Sequence, residues 1–241
     1  GAAVDGAGTV QCLTPVFDKI PENERFYDKG YAVVPYVFDG TYVCYAFSFA
    51  GGASLKWYRD NFKKDEKYSE LDKIVKNAPT GILIMPHFAG AATPYMDNCS
   101  KAAVLGLTLE HTDSDLYKAL MEGVTYEMML NIEQLENAGI KPEKFYATGG
   151  GAYSDVWLQV KADILDRPIT SLSSKEVGAC GTCMLSAVAL GLCRDLNEAK
   201  KRFVKGNKTF IPNPEKVDIY KKYYQAYKKI YDGVRPIIGE I

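Results

Sequence analysis

Thr148-Gly149-Gly150-Gly151-Ala152-Tyr153-Ser154-Asp155 is the stretch of this sequence with the clearest chemical content. Three adjacent glycines remove every Cβ, so a ligand can lie directly against main-chain N–H groups. The segment stands between an apolar, strand-like run, Lys144-Phe145-Tyr146-Ala147, and an amphipathic helical run from Val156 to Leu165. A helix starting there aims its unpaired N–H groups and positive dipole end at the turn, which favours phosphate or sugar oxygens. The spacing reads as a nucleotide-binding turn; a tight strand–helix connection without a ligand satisfies the same glycines. A second glycine turn, Asp5-Gly6-Ala7-Gly8-Thr9, opens the first strand. Its small residues and the Thr9 hydroxyl suit a terminal phosphate held by backbone N–H groups, and a plain β-turn accounts for it equally well.

Other reactive side chains carry weaker signals. Cys180-Gly181-Thr182-Cys183 has the spacing of a redox or zinc motif, but it lies in a helix of small residues with no second cysteine pair or nearby histidine. Two buried thiols are the simpler reading. His87 follows a strand and precedes Ala89-Gly90-Ala91-Ala92-Thr93-Pro94; with no carboxylate or cysteine at suggestive spacing, it and His111 read as structural or surface residues. No Ser/His/Asp set and no G-x-x-x-x-G-K-[ST] motif is present. Gly149 to Ser154 nearly matches the dinucleotide fingerprint G-x-G-x-x-G, but serine replaces the last glycine. The acid due roughly 20 residues on is also missing, because the next strand ends Ser171-Leu172-Ser173-Ser174.

The elements that must position these residues follow from periodicity. Thr9 to Phe17, Tyr31 to Phe38 and Thr41 to Phe49 are rich in β-branched and aromatic residues, and Asp39-Gly40 predicts a type I′ hairpin between the last two. Ser54 to Phe62 reads as a short helix, Asn61 to Ala78 as a solvated lysine-rich excursion, and Gly81 to Met85 as a buried strand. Thr112-Asp113-Ser114-Asp115 has capping-box spacing. Behind it Leu116, Leu120, Val124, Met128, Ile132 and Leu135 form one face of a long helix that ends at Gly139. Ile169 to Leu172 predicts a strand and Glu176 to Leu190 a helix; the remainder is helical apart from a loop around Gly206 to Pro214. Tyr220, Tyr223, Tyr224, Tyr227 and Tyr231 recur at helical spacing and predict a terminal helix packed onto its own domain. Strands cluster early and then alternate with helices, so the class is α/β, a mixed sheet flanked by helices, in one domain over residues 1–241.

Composition narrows the function. The chain has 241 residues, 47% hydrophobic, enough for a substantial core. With 29 basic and 30 acidic side chains and a formal net charge of -1 it has no basic stripe, which argues against nucleic acid as a partner. No apolar run approaches the roughly 20 residues that span a bilayer, and no signal peptide opens the chain. The six scattered cysteines suit free thiols in a reducing cytoplasm better than a disulfide framework. The chain opens Gly1-Ala2-Ala3-Val4-Asp5 without a methionine and goes straight into strand-like sequence, as a piece of something longer would.

Taken together, the two glycine turns and the capped helix make the chain resemble the C-terminal half of the FGGY family of carbohydrate kinases. The second FGGY signature can be followed through Ala102, Val104, Gly106, Leu107, Asp115, Leu116, Ala119 and Leu120 to Glu122. Gly149 to Leu165 looks like the family's adenosine-binding turn and helix, and Ala50 to Asp60 like the segment after its hairpin. Gly90-Ala91-Ala92-Thr93-Pro94 sits where members often carry Gly-Glu-Arg-Thr-Pro, with Ala91 and Ala92 in place of the charged pair.

The resemblance implies an actin-like ATPase (ribonuclease H-like) fold, with ATP and Mg2+ as cofactors and a sugar or polyol as acceptor, a xylulose-type ketose foremost. It implies that Gly8 and Thr9 contact the transferable phosphate. Gly149, Gly150 and Gly151 then lie against adenosine and the inner phosphates, and Asp155 approaches adenine or ribose. It places the sugar pocket and the catalytic aspartate upstream of residue 1, since Asp5 stands too near the turn, so residues 1–241 alone should bind nucleotide without turnover. The face around Gly8-Thr9 and the Gly90 loop should be exposed, with Phe88 and Tyr95 promoting self-association or a homodimer. A non-enzymatic actin-like nucleotide-binding module and a dinucleotide-dependent oxidoreductase are the competing readings.

Overall fold

The central strand of the sheet has an unlikely composition for that place. β1 (Ala2–Ala7) contains an aspartate and a glycine, both poor strand formers, yet Ala3, Asp5 and Ala7 alternate inward with a period of two. The computed structural model describes residues 1–174 and 176–241. The further strands are β2 (Gln11–Phe17), β3 (Ala32–Pro35), β4 (Tyr42–Ser48), β5 (Leu83–Met85), β6 (Ala103–Leu105), β7 (Lys144–Thr148), β8 (Ile169–Leu172) and β9 (Gly206–Phe210). The helices are α1 (Glu24–Asp28), α2 (Gly52–Phe62), α3 (Tyr68–Lys73), α4 (Asp113–Asn137), α5 (Asp155–Leu165), α6 (Val177–Ala189), α7 (Leu196–Phe203), α8 (Pro214–Tyr227) and α9 (Ile230–Ile238).

Seven strands form a mixed sheet in the order β3-β4-β2-β1-β7-β8-β9, and β5 pairs with β6 apart from it. β1 runs antiparallel to β2 and parallel to β7, with Gly6 opposite Thr148. The two glycine turns, more than 130 positions apart in sequence, therefore leave the same edge of the sheet side by side. That edge lies at the carboxyl ends of parallel strands, the usual place for a ligand crevice in an α/β sheet.

α4 and α5 pack together over the sheet, and the tyrosines of α8 cover α4 from outside. α4 opens with the predicted capping box, Asp115 bonding back to the Thr112 N–H at 2.8 Å, and ends ahead of Gly139 at φ +86°. Most of its buried polar groups are satisfied, the Tyr126 hydroxyl excepted. The Lys118 ammonium donates to the carbonyls of Lys76, Asn77 and Ala78 at 2.9, 3.1 and 2.6 Å, and the Tyr220 hydroxyl donates to Glu122 at 2.8 Å. Burial pushes the Lys118 pKa down and the Glu122 pKa up. Tyr220, Tyr224 and Tyr227 are buried, in keeping with a terminal helix packed onto its own chain.

Several expectations need correction. Asp5, Gly6 and Ala7 belong to β1, so the first turn shrinks to Gly8-Thr9-Val10; pairing with β7 overrides their low strand propensity. The connection between β3 and β4 is not a type I′ turn: only Gly40 of the Asp39-Gly40 pair has positive φ, and the loop spans residues 36–41. The stretch 61–78 contains α3, held by its buried Leu71, and 206–214 contains β9, which the edge of the sheet recruits. β6 is a strand the periodicity did not mark. The Gly90 loop is buried rather than exposed: the Asn131 amide donates to Thr93 O at 3.1 Å, and the Thr93 hydroxyl accepts from the Phe47 N–H at 2.8 Å. Cys183 is exposed and Cys180 half-buried, its thiol 3.9 Å from the carbonyl of Phe203 at the end of α7, so the two are not a pair of buried thiols.

Candidate nucleotide cleft

A cleft of about 780 Å3 opens between the two glycine turns on one side and α2 and α3 on the other. Its volume falls within the about 300–1,000 Å3 common for small-molecule sites. Ala7, Gly8 and Thr9 form one end; Gly150, Gly151, Tyr153 and Ser154 form the back. Trp57, Tyr68 and Tyr117 supply aromatic surface, and Lys56, Asp60 and Asp72 the charged groups.

The first turn is locked from behind. The N–H groups of Gly51 and Ala53 donate to Thr9 O, both at 3.0 Å, and that of Gly52 to Gly8 O at 2.8 Å. So close an approach excludes side chains: a Cβ on Gly51 or Gly52 would come within 2.6 or 2.7 Å of the Gly8–Val10 backbone. The opening N–H groups of α2 thus hold the turn rather than a ligand, and Gly8 and Thr9 stay exposed at the cleft.

The triple glycine divides its work. Gly149, at φ +79°, passes so close to β1 that a Cβ would lie 2.7 Å from Ala7 O; it lines a smaller hollow on the other flank of the turn. A Cβ on Gly151 would meet Ala7 Cβ at 2.6 Å and the Trp157 ring at 2.8 Å. For Gly150 the nearest such atom is 4.0 Å away, so its bare side faces open space. Two of the three glycines are therefore required by the protein's own packing and one leaves room for a ligand. A short 3-10 turn, Gly150–Tyr153, takes up the last two glycines and leads into α5, and the Ser154 hydroxyl caps α5 by accepting from the Trp157 N–H at 3.0 Å. The start of α5 accordingly does not aim its N–H groups at the cleft in the simple way that a bare strand–helix turn implies.

Of the site residues expected from the sequence, the structure brings together Gly8, Thr9, Gly150 and Gly151 around the cleft and leaves Gly149 behind the turn. It does not bring Asp155. That carboxylate faces a separate groove and bonds the Lys208 ammonium at 2.5 Å, because the 3-10 turn rotates the first residue of α5 away.

Nothing in the residue order marks the buried cluster beneath the turns. Lys161 on α5 donates to Asp5 at 2.6 Å and to Gln11 at 3.2 Å, and the Gln11 amide also bonds Asp5. Trp157, whose ring floors the cleft, donates to Met121 O at 3.2 Å and lies under the Lys161 ammonium. Tyr68 and Asp72 were missed for another reason: they sit in the lysine-rich segment, whose polarity hides the single apolar anchor of α3. His87 is fully buried, with Nδ1 2.7 Å from the Ser100 hydroxyl and Nε2 3.3 Å from Glu127, away from the residues that line the cleft. Among the described residues no helix is long and apolar enough to cross a membrane.

Residues 29–190 match the FGGY family of carbohydrate kinases, C-terminal domain. A xylulose kinase of Staphylococcus epidermidis is 30% identical over 218 residues, covering 89% of this chain and 44% of that protein. A glycerol kinase of Pseudothermotoga lettingae is 30% identical over 202 residues, covering 80% and 40%. The crystal structure of a xyloylose kinase from Brucella ovis superposes with a TM-score of 0.87 at 23% identity, over 98% of this chain and 49% of that one. The actin-like ATPase fold, a mixed sheet flanked by helices, is thus the one these kinases share with this chain. The chain spans less than half the length of these curated relatives.

Proposed function

Because this chain belongs to the FGGY family of carbohydrate kinases and carries its C-terminal domain, we propose that residues 1–241 form the nucleotide-binding unit of an enzyme that transfers the γ-phosphate of ATP to a sugar or polyol hydroxyl. The observation that carries this reading is the juxtaposition of Gly8-Thr9 and Gly150-Gly151 at one end of parallel strands, with an aromatic-walled cleft between them. The phosphates lie against the exposed Gly8-Thr9 turn and the nucleoside runs along Gly150 and Gly151 toward α3. A ketopentose such as xylulose is the acceptor we favour, since several matched relatives are xylulose kinases.

Phosphoryl transfer needs positioning, charge stabilisation and a group to accept the hydroxyl proton. Residues 1–241 supply the first. We assign them no catalytic base: Asp5, the carboxylate nearest the first turn in sequence, is buried and held by Lys161 and Gln11. Mg2+ characteristically uses one or two carboxylates together with substrate phosphates. No group of three or more metal-ligating side chains occurs among the described residues, so the ion fits here as a companion of the nucleotide phosphates, whose charge it neutralises. We place the protein in the cytoplasm, the reading that its six free cysteines support.

Calorimetry with ADP tests the assignment. ADP should bind the chain, and Gly150→Val, whose Cβ would stand 4.0 Å from the nearest protein atom and so extend into the cleft, should weaken binding by tenfold or more at nearly unchanged melting temperature. Absence of ADP binding by the parent chain, or a Gly150→Val variant that binds as the parent does, would reject the cleft as the nucleotide site.

A further inference from the structure

We propose that Asp72 is a specificity residue of this cleft: its carboxylate accepts a hydrogen bond from the ribose 2′-hydroxyl of the bound nucleotide and so selects ribonucleotides over 2′-deoxyribonucleotides. The inference rests on the nucleotide reading given above and extends it to a residue on the opposite wall.

Two carboxylates line the cleft, and they differ in their partners. Asp60 is committed to cations, bonding both Lys56 and Arg59. Asp72 has no cationic partner among the described residues. The Tyr117 hydroxyl donates to it at 3.2 Å and the Ser154 hydroxyl adjoins it from the far side of the cleft. A carboxylate offers about four acceptor positions, so two hydroxyls leave it short of donors. Burial, reinforced by the nearby charge of Asp155, raises the Asp72 carboxyl above its ordinary range, the mark of an anion incompletely compensated by its surroundings.

Position favours the sugar over the base. Tyr68 stands four residues before Asp72 on α3, on the same helix face, and is exposed at 37%, with the Arg59 guanidinium over one face of its ring; Tyr153, beside the glycine turn, is exposed at 62%. These rings offer a base flat surface at the rim. Asp72 is half-buried, inward of both, beside the residue that caps α5 immediately after the glycine turn. A nucleotide with its phosphates at Gly8-Thr9 and its base at the rim carries its ribose between them. A carboxylate accepting from ribose hydroxyls is also the pairing that dinucleotide-binding sites use.

The test is calorimetric titration of the full chain with ADP, 2′-deoxy-ADP and inosine diphosphate. The parent chain should prefer ADP to 2′-deoxy-ADP by on the order of tenfold, the effect of one hydrogen bond to a charged group. Asp72→Asn and Asp72→Ala should bind ADP more weakly, leave 2′-deoxy-ADP nearly unchanged, and keep the ratio of ADP to inosine diphosphate at its parent value. Equal binding of ADP and 2′-deoxy-ADP by the parent overturns the inference without any variant. So does an undiminished preference in both variants, or a changed ratio of ADP to inosine diphosphate, which would mean that Asp72 reads the base amine. Failure of the parent to bind any of the three nucleotides would instead reject the nucleotide cleft itself, and this inference with it.

Discussion

The Lys161 ammonium lies 2.6 Å from the Asp5 carboxylate with both side chains fully buried, fastening the strand ahead of one glycine turn to the helix behind the other. Gln11 bonds to both partners, so β1, β2 and α5 meet at a single polar cluster beneath the cleft. The spacing of the two turns therefore depends on a contact between residues 156 positions apart.

Breaking that contact from one side should be costly. Lys161→Met leaves Asp5 as a buried charge without its cation, and a loss of about 3–5 kcal/mol is expected. Urea unfolding of the parent, Lys161→Met and the double variant Lys161→Met with Asp5→Asn measures it. The double variant should recover part of the loss, since it carries no orphaned charge; a Lys161→Met midpoint equal to the parent's would contradict the assignment.

The glycines of the second turn should separate by effect. Gly151→Ala places a methyl group against Ala7 and the Trp157 ring, and overpacking of this kind costs about 1–3 kcal/mol. Gly150→Ala meets nothing and should stay within about 0.5 kcal/mol of the parent. Melting curves of the two single variants decide the matter, and the reverse order would show that the turn is packed differently.

The capping box at the start of α4 predicts an acid dependence. Burial opposes ionisation of Asp115, but bonds from the Lys76 ammonium and from Thr112 prevail and hold its carboxyl down at about 2. A depressed folded-state pKa contributes stability that is present above the unfolded value, about 3.9, and is lost as pH falls through the folded value. Asp115→Asn should therefore be less stable than the parent at pH 7, and the gap should narrow as pH falls below about 4. A gap constant from pH 7 to pH 3 would exclude this origin.

Thiol labelling reports the surface directly. Cys99 and Cys183 are exposed, whereas Cys44 is buried, with its thiol pushed up to about 12 by burial and by the neighbouring Cys12. Since the thiolate is the reactive form, iodoacetamide should modify Cys99 and Cys183 first and reach Cys44 only on unfolding. Mass spectrometry of peptides after brief labelling reads the order, and early modification of Cys44 would be inconsistent with its place in the sheet.

Local patterns were legible in the amino-acid order alone. The capping box and long apolar stripe of α4, the strand–glycine–helix order around residues 144–165 and the tyrosine face of α8 all depend on neighbours within a few turns of chain. Short-range periodicity and backbone requirements specify such features, because the same side chains that start, stop or face an element lie close together in sequence. The joint order of the motifs also pointed to the family, since that order is a property of the sequence itself.

Tertiary structure decided the rest. β1 is a strand because β2 and β7 flank it and Lys161 compensates Asp5, not because Ala-Ala-Val-Asp-Gly-Ala favours extension. β9 is recruited by a free sheet edge, and α3 by one buried leucine in a charged segment. Which glycine faces open space, and which way Asp155 turns, depend on how closely β1 passes beneath residues 149–151. Sequence periodicity records which residues avoid water. It does not record which distant strand or helix will lie beside them, and in this chain that pairing places two glycine turns at one cleft and brings Asp72 to its opposite wall.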